Sequence, residues 1–478
     1  MNWRGSPWFG VVAAIVTGAL FAASLDVGPA GPLALVAPIP LLVYAMCAPR
    51  TIAVAFAAAG ARVIAMAGII YVYGDAPLAA KITIVAIFAL VYTAVVLLTR
   101  WTARTAGATL AVFSYPLLLV TAELILGAVS PDGTFGAMGY SLVDVLPLLQ
   151  VASLGGMSAL TFCVALLPMA VAVVLARPES WRAAAVAGAV PLLLAAGFGA
   201  LRLTQAYDST ARVALVGLDK YEARAYRGEK EAVEAAAAFA EEVHKLALAQ
   251  PDYIVAPEKQ LGGARDAAAS SAQLAAAVGE LPVTLVAGFD EVLPQGTRVN
   301  SAQVFAPGQP MQRYLKRRFI PGLETGYSIG TNSMLMGTRG VAICKDMDFP
   351  GMIREYGQNG VELLLVPAWD FVLDGRYHSR MALLRGVENG FAIARAAAAG
   401  RLTASDRYGR VIDEAITSPT ATVTVVTELG LRGGGTWYSR LGDVFGWACA
   451  VCAFALLVRR GRYAMNLSRG VLTNKPQR

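Results

Sequence analysis

The sequence predicts a polytopic α-helical membrane protein, with about eight spans, that carries an α/β domain outside the bilayer. Three observations lead there. Of 478 residues, 56% are hydrophobic and only 15% charged, too little charge to cover a soluble protein of this size. Charged residues are sparse from 5 to about 205 and frequent from 206 to about 436. In the second region strand-like and helix-like stretches alternate, as in an α/β domain. The expected division is a membrane part at 1–205, a soluble domain at 206–436, and a last span with a basic tail at 437–478.

Seven apolar segments precede the soluble domain, at 8–25, 31–48, 52–73, 81–99, 107–127, 156–176 and 183–203, and an eighth covers 439–458. Each approaches the ~20 residues a bilayer requires. The first resembles a secretion signal, since Arg4 precedes a run ending in Ala22-Ala23-Ser24. Its length and the six spans behind it predict an uncleaved helix.

The loops assign the sides. Arg4, Arg50, Arg100, Arg104, Arg177 and Arg182 fall on one side, and Asp26, Asp75 and Asp132 on the other. Because basic loops stay inside, both termini are expected in the cytoplasm and the soluble domain outside. The tail agrees, with Arg459, Arg460, Arg462, Arg469, Lys475 and Arg478 and no acid after 458. The net charge of +7 thus reads as topology and anionic-lipid contact, not nucleic-acid binding.

Between residues 211 and 428 strands are expected at 211–217, 253–256, 283–289, 301–305, 341–344, 363–367, 391–394 and 420–426, with helices at 229–249 and 377–388. Four of the five cysteines, Cys47, Cys163, Cys449 and Cys452, lie in apolar segments and read as small packing residues, the Cys449–Cys452 pair included. Cys344 is the one cysteine of the soluble domain, and a lone thiol in an oxidising compartment is a liability unless its chemistry is used.

The candidate site lies at strand ends. Glu258 follows 253–256, Lys316 follows Arg313-Tyr314-Leu315, and Cys344 ends an apolar run. Alone, Glu258 reads as a surface or cap residue, Lys316 as part of a solvated basic patch and Cys344 as a core residue. Together they suffice for acyl transfer through a thioester. A lysine favours the thiolate and steadies an oxyanion, and a carboxylate moves the proton.

Six stretches carry a resemblance: APEKQ (256–260), RYLKRRFIPGLE (313–324), GVAICKDMDFP (340–350), LLLVPAWDF (363–371), HSRMALLRGVENGFAIAR (378–395) and SDRYGRV (405–411). In order and spacing they resemble the motif blocks of the nitrilase superfamily. The resemblance implies an α-β-β-α sandwich with Glu258 as general base, Lys316 as oxyanion stabiliser, Cys344 as nucleophile and Glu324 as supporting carboxylate. The membrane segments, with TAELILG (121–127) and GAMGYSLVDVLPLLQVASLGGMSALTF (136–162), are similar to the apolipoprotein N-acyltransferase family of the bacterial cytoplasmic membrane. That resemblance implies a phospholipid acyl donor, a diacylglyceryl lipoprotein acceptor, no metal or cofactor, and a monomer among membrane lipids.

The chain departs from the family at defined places. Lys345-Asp346 stands where the family has tyrosine and glutamate, Trp369-Asp370-Phe371 where it has tryptophan-phenylalanine-glycine, and VGLDKYEARAY (216–226) where it has glutamine-glycine-asparagine. Lys345, Asp346 and Trp369 are therefore expected to face substrate, while Glu123, inside a span at a position that matches the family, is read as either structural or substrate-facing. Arg62, also inside a span, is a candidate partner for Glu123 or a lipid phosphate, since intramembrane charge seeks a partner. His378 is expected to make a structural hydrogen bond, His244 to lie on a solvated helix face, and Arg385, Glu388 and Asn389 to order loops beneath the site. Two other readings stay open on the residues alone: a membrane-anchored amidase acting on another carbon–nitrogen bond, and a scaffold that keeps the fold without catalysis.

Overall fold

The computed structural model describes residues 3–25, 30–72, 77–219, 229–262, 267–279 and 281–473. Asp26, Asp75, Lys475, Arg478 and residues 220–226 of the VGLDKYEARAY stretch lie outside the described residues. Among those described, seven helices are long and apolar enough to cross a membrane. They cover Pro7–Ser24, Thr51–Gly68, Leu78–Ala103, Ala108–Val129, Ala152–Ala176, Pro178–Arg202 and Val444–Arg462.

The second expected span, 31–48, is instead broken into a 3-10 turn at Gly31–Leu35 and a helix at Ile39–Cys47. Pro32, Pro38 and Pro40 account for the break, because each lacks a backbone N–H and restrains the residue before it. A nine-residue helix rises only ~14 Å at ~1.5 Å per residue, about half of a bilayer core. The turn at Gly31–Leu35 packs on a second 3-10 turn, Met138–Leu142, in the segment that follows the Ala108–Val129 helix.

The α/β domain contains two six-stranded sheets among the described residues. The strands are β1 (Ser209–Gly217), β2 (Tyr253–Val255), β3 (Thr284–Val292), β4 (Arg298–Phe305), β5 (Gln312–Leu315), β6 (Met334–Met336), β7 (Arg339–Val341), β8 (Leu363–Trp369), β9 (Ala392–Ala398), β10 (Arg401–Ser405), β11 (Val411–Ile416) and β12 (Val423–Leu431). One sheet runs β12-β1-β2-β3-β4-β5 and the other β11-β10-β9-β8-β7-β6. The central pairs β1–β2, β2–β3, β7–β8 and β8–β9 are parallel.

Alternation sorts the side chains into layers. Val213, Leu215, Val255 and Val286 meet Leu363, Leu365, Ala394 and Leu402 between the sheets. The intervening Ala214, Val216, Ile254 and Leu285 pack outward on Phe239, Val243 and Leu274, from the helices Glu229–Ala247 and Ala267–Val278. Leu364 and Val366 pack outward on Ile353, Tyr356 and Ala382, from the helices Pro350–Gln358 and Gly375–Asn389. These four layers form the α-β-β-α sandwich.

The helix Gly375–Asn389 is buried on every side. Ala382 faces its own sheet, while Met381, Leu384 and Val387 join Leu149, Met157 and Tyr140 in the core of the membrane part. Polar contacts extend this junction. Arg376 and Arg380 each donate to Asp144 at 3.0 Å, Gln150 donates to the Tyr408 carbonyl at 2.8 Å, and the Gly136 N–H donates to the Tyr377 hydroxyl at 2.9 Å.

Candidate active site

Three strand ends converge. Glu258 follows β2, and its N–H donates to Ala368 of the opposite sheet at 3.1 Å. Lys316 follows β5, its N–H donating to the Asn300 carbonyl at 2.9 Å. Cys344 lies just past β7, where the expected strand 341–344 gives way to a 3-10 turn, Cys344–Asp348. Its φ of +38° places a non-glycine residue in the left-handed region, a conformation that costs ~1–3 kcal/mol and persists only where neighbours enforce it.

Lys316 is 1% exposed. Its ammonium donates to Glu258 Oε1 at 2.7 Å and to Glu324 Oε2 at 2.8 Å. An ammonium has three N–H groups, so one is left after the two carboxylates. Burial lowers the proton affinity of Lys316, but Glu258 and Glu324 outweigh that and hold it above its ordinary value. Burial likewise raises Glu324, yet Lys316 and Lys259 bring it down to about 2.

The second oxygen of Glu258, Oε2, is buried and has no hydrogen-bond partner among the described residues. The Cys344 thiol donates to the Trp369 carbonyl at 3.3 Å. Burial pushes that thiol well above its ordinary range, with Glu258 adding to the effect and Lys316 opposing it. Burial thus favours the neutral thiol, and a thiol acts as a nucleophile only once a base has taken its proton. Glu258, with one oxygen unused, is the carboxylate suited to that role.

Two side chains of the network were not picked out from the sequence. Asn300 donates through Nδ2 to both Glu258 (2.5 Å) and Glu324 (2.7 Å), and Lys259 pairs with Glu324 at 2.8 Å. The strand RVNSAQVF carries Arg298, Ser301 and Gln303 beside Asn300, so no single polar residue stood out in it. Gly288 on β3 lies against the turn that carries Glu258. A Cβ there would sit 2.3 Å from the Pro257 carbonyl oxygen and 2.5 Å from Glu258 Cα.

The residues expected to face substrate all have protein partners. Asp346 is fully buried and accepts from Ile343 N–H (3.0 Å), Tyr314 hydroxyl (2.7 Å), Arg317 N–H (3.1 Å) and Arg318 N–H (2.9 Å). It thereby ties the cysteine turn to the segment carrying Lys316. Burial raises its carboxyl to about 6 against the effect of those donors. Lys345 turns to Asp132 and Asp348, at 2.7 and 2.9 Å. Trp369 contributes its carbonyl to the thiol and packs its ring on Ala398 and Ala399. Glu123 accepts from Met138 N–H (2.8 Å) and the Thr161 hydroxyl (2.6 Å), joining three parts of the membrane region. Arg62 reaches the Met138 sulfur at 3.6 Å and lies over Phe88 and Tyr92.

The flanking groups are structural. Arg395 grips both oxygens of Asp370, which follows Trp369. His378 meets Asp374 at 2.9 Å. Arg385 and Glu388 pair at 2.8 Å with no exposure at all.

Comparison with known proteins finds two family matches. Residues 17–170 match the apolipoprotein N-acyltransferase N-terminal domain, and 212–430 match the carbon-nitrogen hydrolase family. The apolipoprotein N-acyltransferase of Geobacter metallireducens is 26% identical over 393 residues, covering 73% of this chain and 74% of that protein. An (R)-stereoselective amidase of a Pseudomonas species is 32% identical over 153 residues, 29% of this chain and 56% of the amidase. Among solved structures, Saccharomyces cerevisiae Nit3, a member of branch 10 of the nitrilase superfamily, aligns with a TM-score of 0.41 and 20% identity. It covers 48% of this chain and 92% of its own. This chain thus joins an apolipoprotein N-acyltransferase N-terminal domain to a carbon-nitrogen hydrolase domain, and the two together support a membrane enzyme similar to the apolipoprotein N-acyltransferases.

Proposed function

We propose that the protein transfers a fatty acyl chain from a phospholipid to the N-terminal diacylglyceryl-cysteine amine of lipoproteins. Glu258, Lys316 and Cys344 perform the chemistry, and Glu324 supports them. The observation that carries this reading is the buried Lys316 held between Glu258 and Glu324, with an unused Glu258 oxygen, in a chain with the membrane helices of that family.

In the first step Cys344 Sγ attacks the ester carbonyl of the phospholipid while Glu258 takes the thiol proton. The oxyanion is met by the remaining N–H of Lys316. Collapse breaks the ester bond, and Glu258 returns the proton to the departing lysophospholipid oxygen. In the second step the lipoprotein amine attacks the thioester and loses a proton to Glu258. The thiolate leaves and is reprotonated. Neither step consumes a cofactor. The basic loops support a place in the cytoplasmic membrane of a bacterium, with the catalytic domain outside and both termini inside. The working division is 1–205, 206–436 and 437–478.

Incubation of purified protein with phospholipid, followed by mass spectrometry of the Cys344 peptide, tests the first step. An acyl adduct that is absent in Cys344→Ala and discharged by a diacylglyceryl peptide is expected. The stretch similar to the stereoselective amidase motivates the alternative, hydrolysis of a small amide. Turnover of such an amide with no lipid adduct would replace the acyltransferase reading.

A further inference from the structure

The turn that carries Cys344 is gripped from two directions. Asp346 ties it to the Lys316 segment through three hydrogen bonds, from Tyr314, Arg317 and Arg318, and accepts a fourth from Ile343 within the turn. Lys345, the residue next to the thiol, reaches the other way. Its ammonium lies 2.7 Å from Asp132 and 2.9 Å from Asp348, and the residue is 7% exposed. Asp132 belongs to the membrane part, just past the end of the Ala108–Val129 helix.

The same loop holds the far end of the turn. Thr134 donates to the Asp348 carbonyl through its N–H at 3.1 Å and its hydroxyl at 3.2 Å. Between the two contacts Gly133 adopts φ +55°, and a Cβ there would lie 2.3 Å from that carbonyl oxygen. Only glycine allows so close an approach in that conformation. A short stretch of the membrane part therefore fixes both Lys345 and Asp348 around the strained Cys344.

We propose that Asp132 and Lys345 form a charge clamp through which the membrane domain orients the nucleophile. Both are positioning residues that act through the Cys344 backbone and touch no substrate. The proposal rests on the reading of Cys344 as the acylated nucleophile. It makes the membrane part a component of the catalytic centre as well as an anchor. Removing the Asp132 charge leaves the buried Lys345 ammonium with Asp348 alone, and removing the Lys345 charge leaves the buried Asp348 carboxylate without its cation; either way the cysteine turn loses the restraint that sets the thiol against Glu258 and Lys316.

The test uses the full-length protein in detergent, with two readouts. One is single-turnover acylation of Cys344 by phospholipid; the other is the pH profile of Cys344 alkylation by iodoacetamide. Lys345→Met and Asp132→Asn are each expected to slow acylation about tenfold or more, the scale of a slight misplacement of reacting groups, with the half-saturating lipid concentration unchanged. The double variant should be no slower than Lys345→Met, and Asp132→Glu should retain the wild-type rate. Both charge-removing variants should displace the alkylation profile in the same way. Asp132→Asn is isosteric at a half-exposed loop position, so folding is preserved.

Unchanged acylation and alkylation in Asp132→Asn would overturn the clamp. So would additive losses in the double variant. A raised half-saturating lipid concentration with an unchanged rate would do the same, by making Lys345 a substrate contact. Alkylation needs no lipid. If the wild type is never acylated but the variants still displace the alkylation profile, the acyl-transfer reading fails and the clamp stands.

Discussion

Glu258 and Lys316 are defined by the hydrogen-bond capacity that each leaves unused. Glu258 spends Oε1 on Lys316 and Asn300 and keeps Oε2 free. Lys316 spends two N–H groups on carboxylates. Glu258→Gln keeps the shape but removes the base, and acylation of Cys344 is expected to fall about 10²- to 10⁴-fold, measured by single-turnover mass spectrometry. Glu258, Lys316 and Cys344 stood out in the sequence as a combination set in recognisable motif blocks, since none of the three is distinctive alone. Asn300 and Lys259 did not, because their value lies in partners set by sheet pairing, 42 and 24 positions from Asn300 for the two carboxylates. The partners of Lys345 and Asp346 were hidden for a related reason. The departure of these two residues from the family suggested a changed substrate contact, whereas their charges are taken up inside the protein.

At the scale of elements, close approach of backbones decides what the strands can present. β3 passes the Glu258 turn at Gly288 with no room for a methyl group. Gly288→Ala is expected to displace Glu258 and cut the acylation rate by about 10²-fold, while circular dichroism remains that of the wild type. Apolar strands and long helices were largely readable because burial on both faces leaves continuous hydrophobic runs. The failures have local causes. Pro38 and Pro40 break a segment whose hydropathy alone suggested a span. β10 and β11 escaped notice because the hairpin they form ends in a strand rich in acids, Asp413 and Glu414, with its side chains partly solvated. The helix Gly375–Asn389 was found, but its burial on all sides follows from docking against the membrane part, which one-dimensional periodicity does not encode.

At the scale of the whole molecule, the two parts meet through His378 as well as through Lys345. Its ring lies 6.1 Å from Phe135 of the membrane loop and pairs with Asp374. Burial opposes the charged ring, but Asp374 and then Asp370 outweigh it and raise the imidazole to about 9. Its folded value exceeds the unfolded value of ~6.5, so its contribution is complete below about pH 6.5 and is lost as pH rises through 9. Thermal unfolding followed by fluorescence should show a fall in stability on the order of 3 kcal/mol across that window, and His378→Gln should flatten it. The long reach of these contacts also bears on biogenesis. Asp132 and Lys345 are 213 positions apart in the chain, and synthesis proceeds at ~5–20 residues per second. The receiving loop thus emerges roughly ten to forty seconds before the turn it will hold. The Val444–Thr473 helix, which packs against Ala108–Val129, arrives later still. During that interval Asp132 and Asp144 lack the lysine and arginines that pair with them in the folded protein, so the nascent membrane part is the stage at which a chaperone or insertase has most to protect.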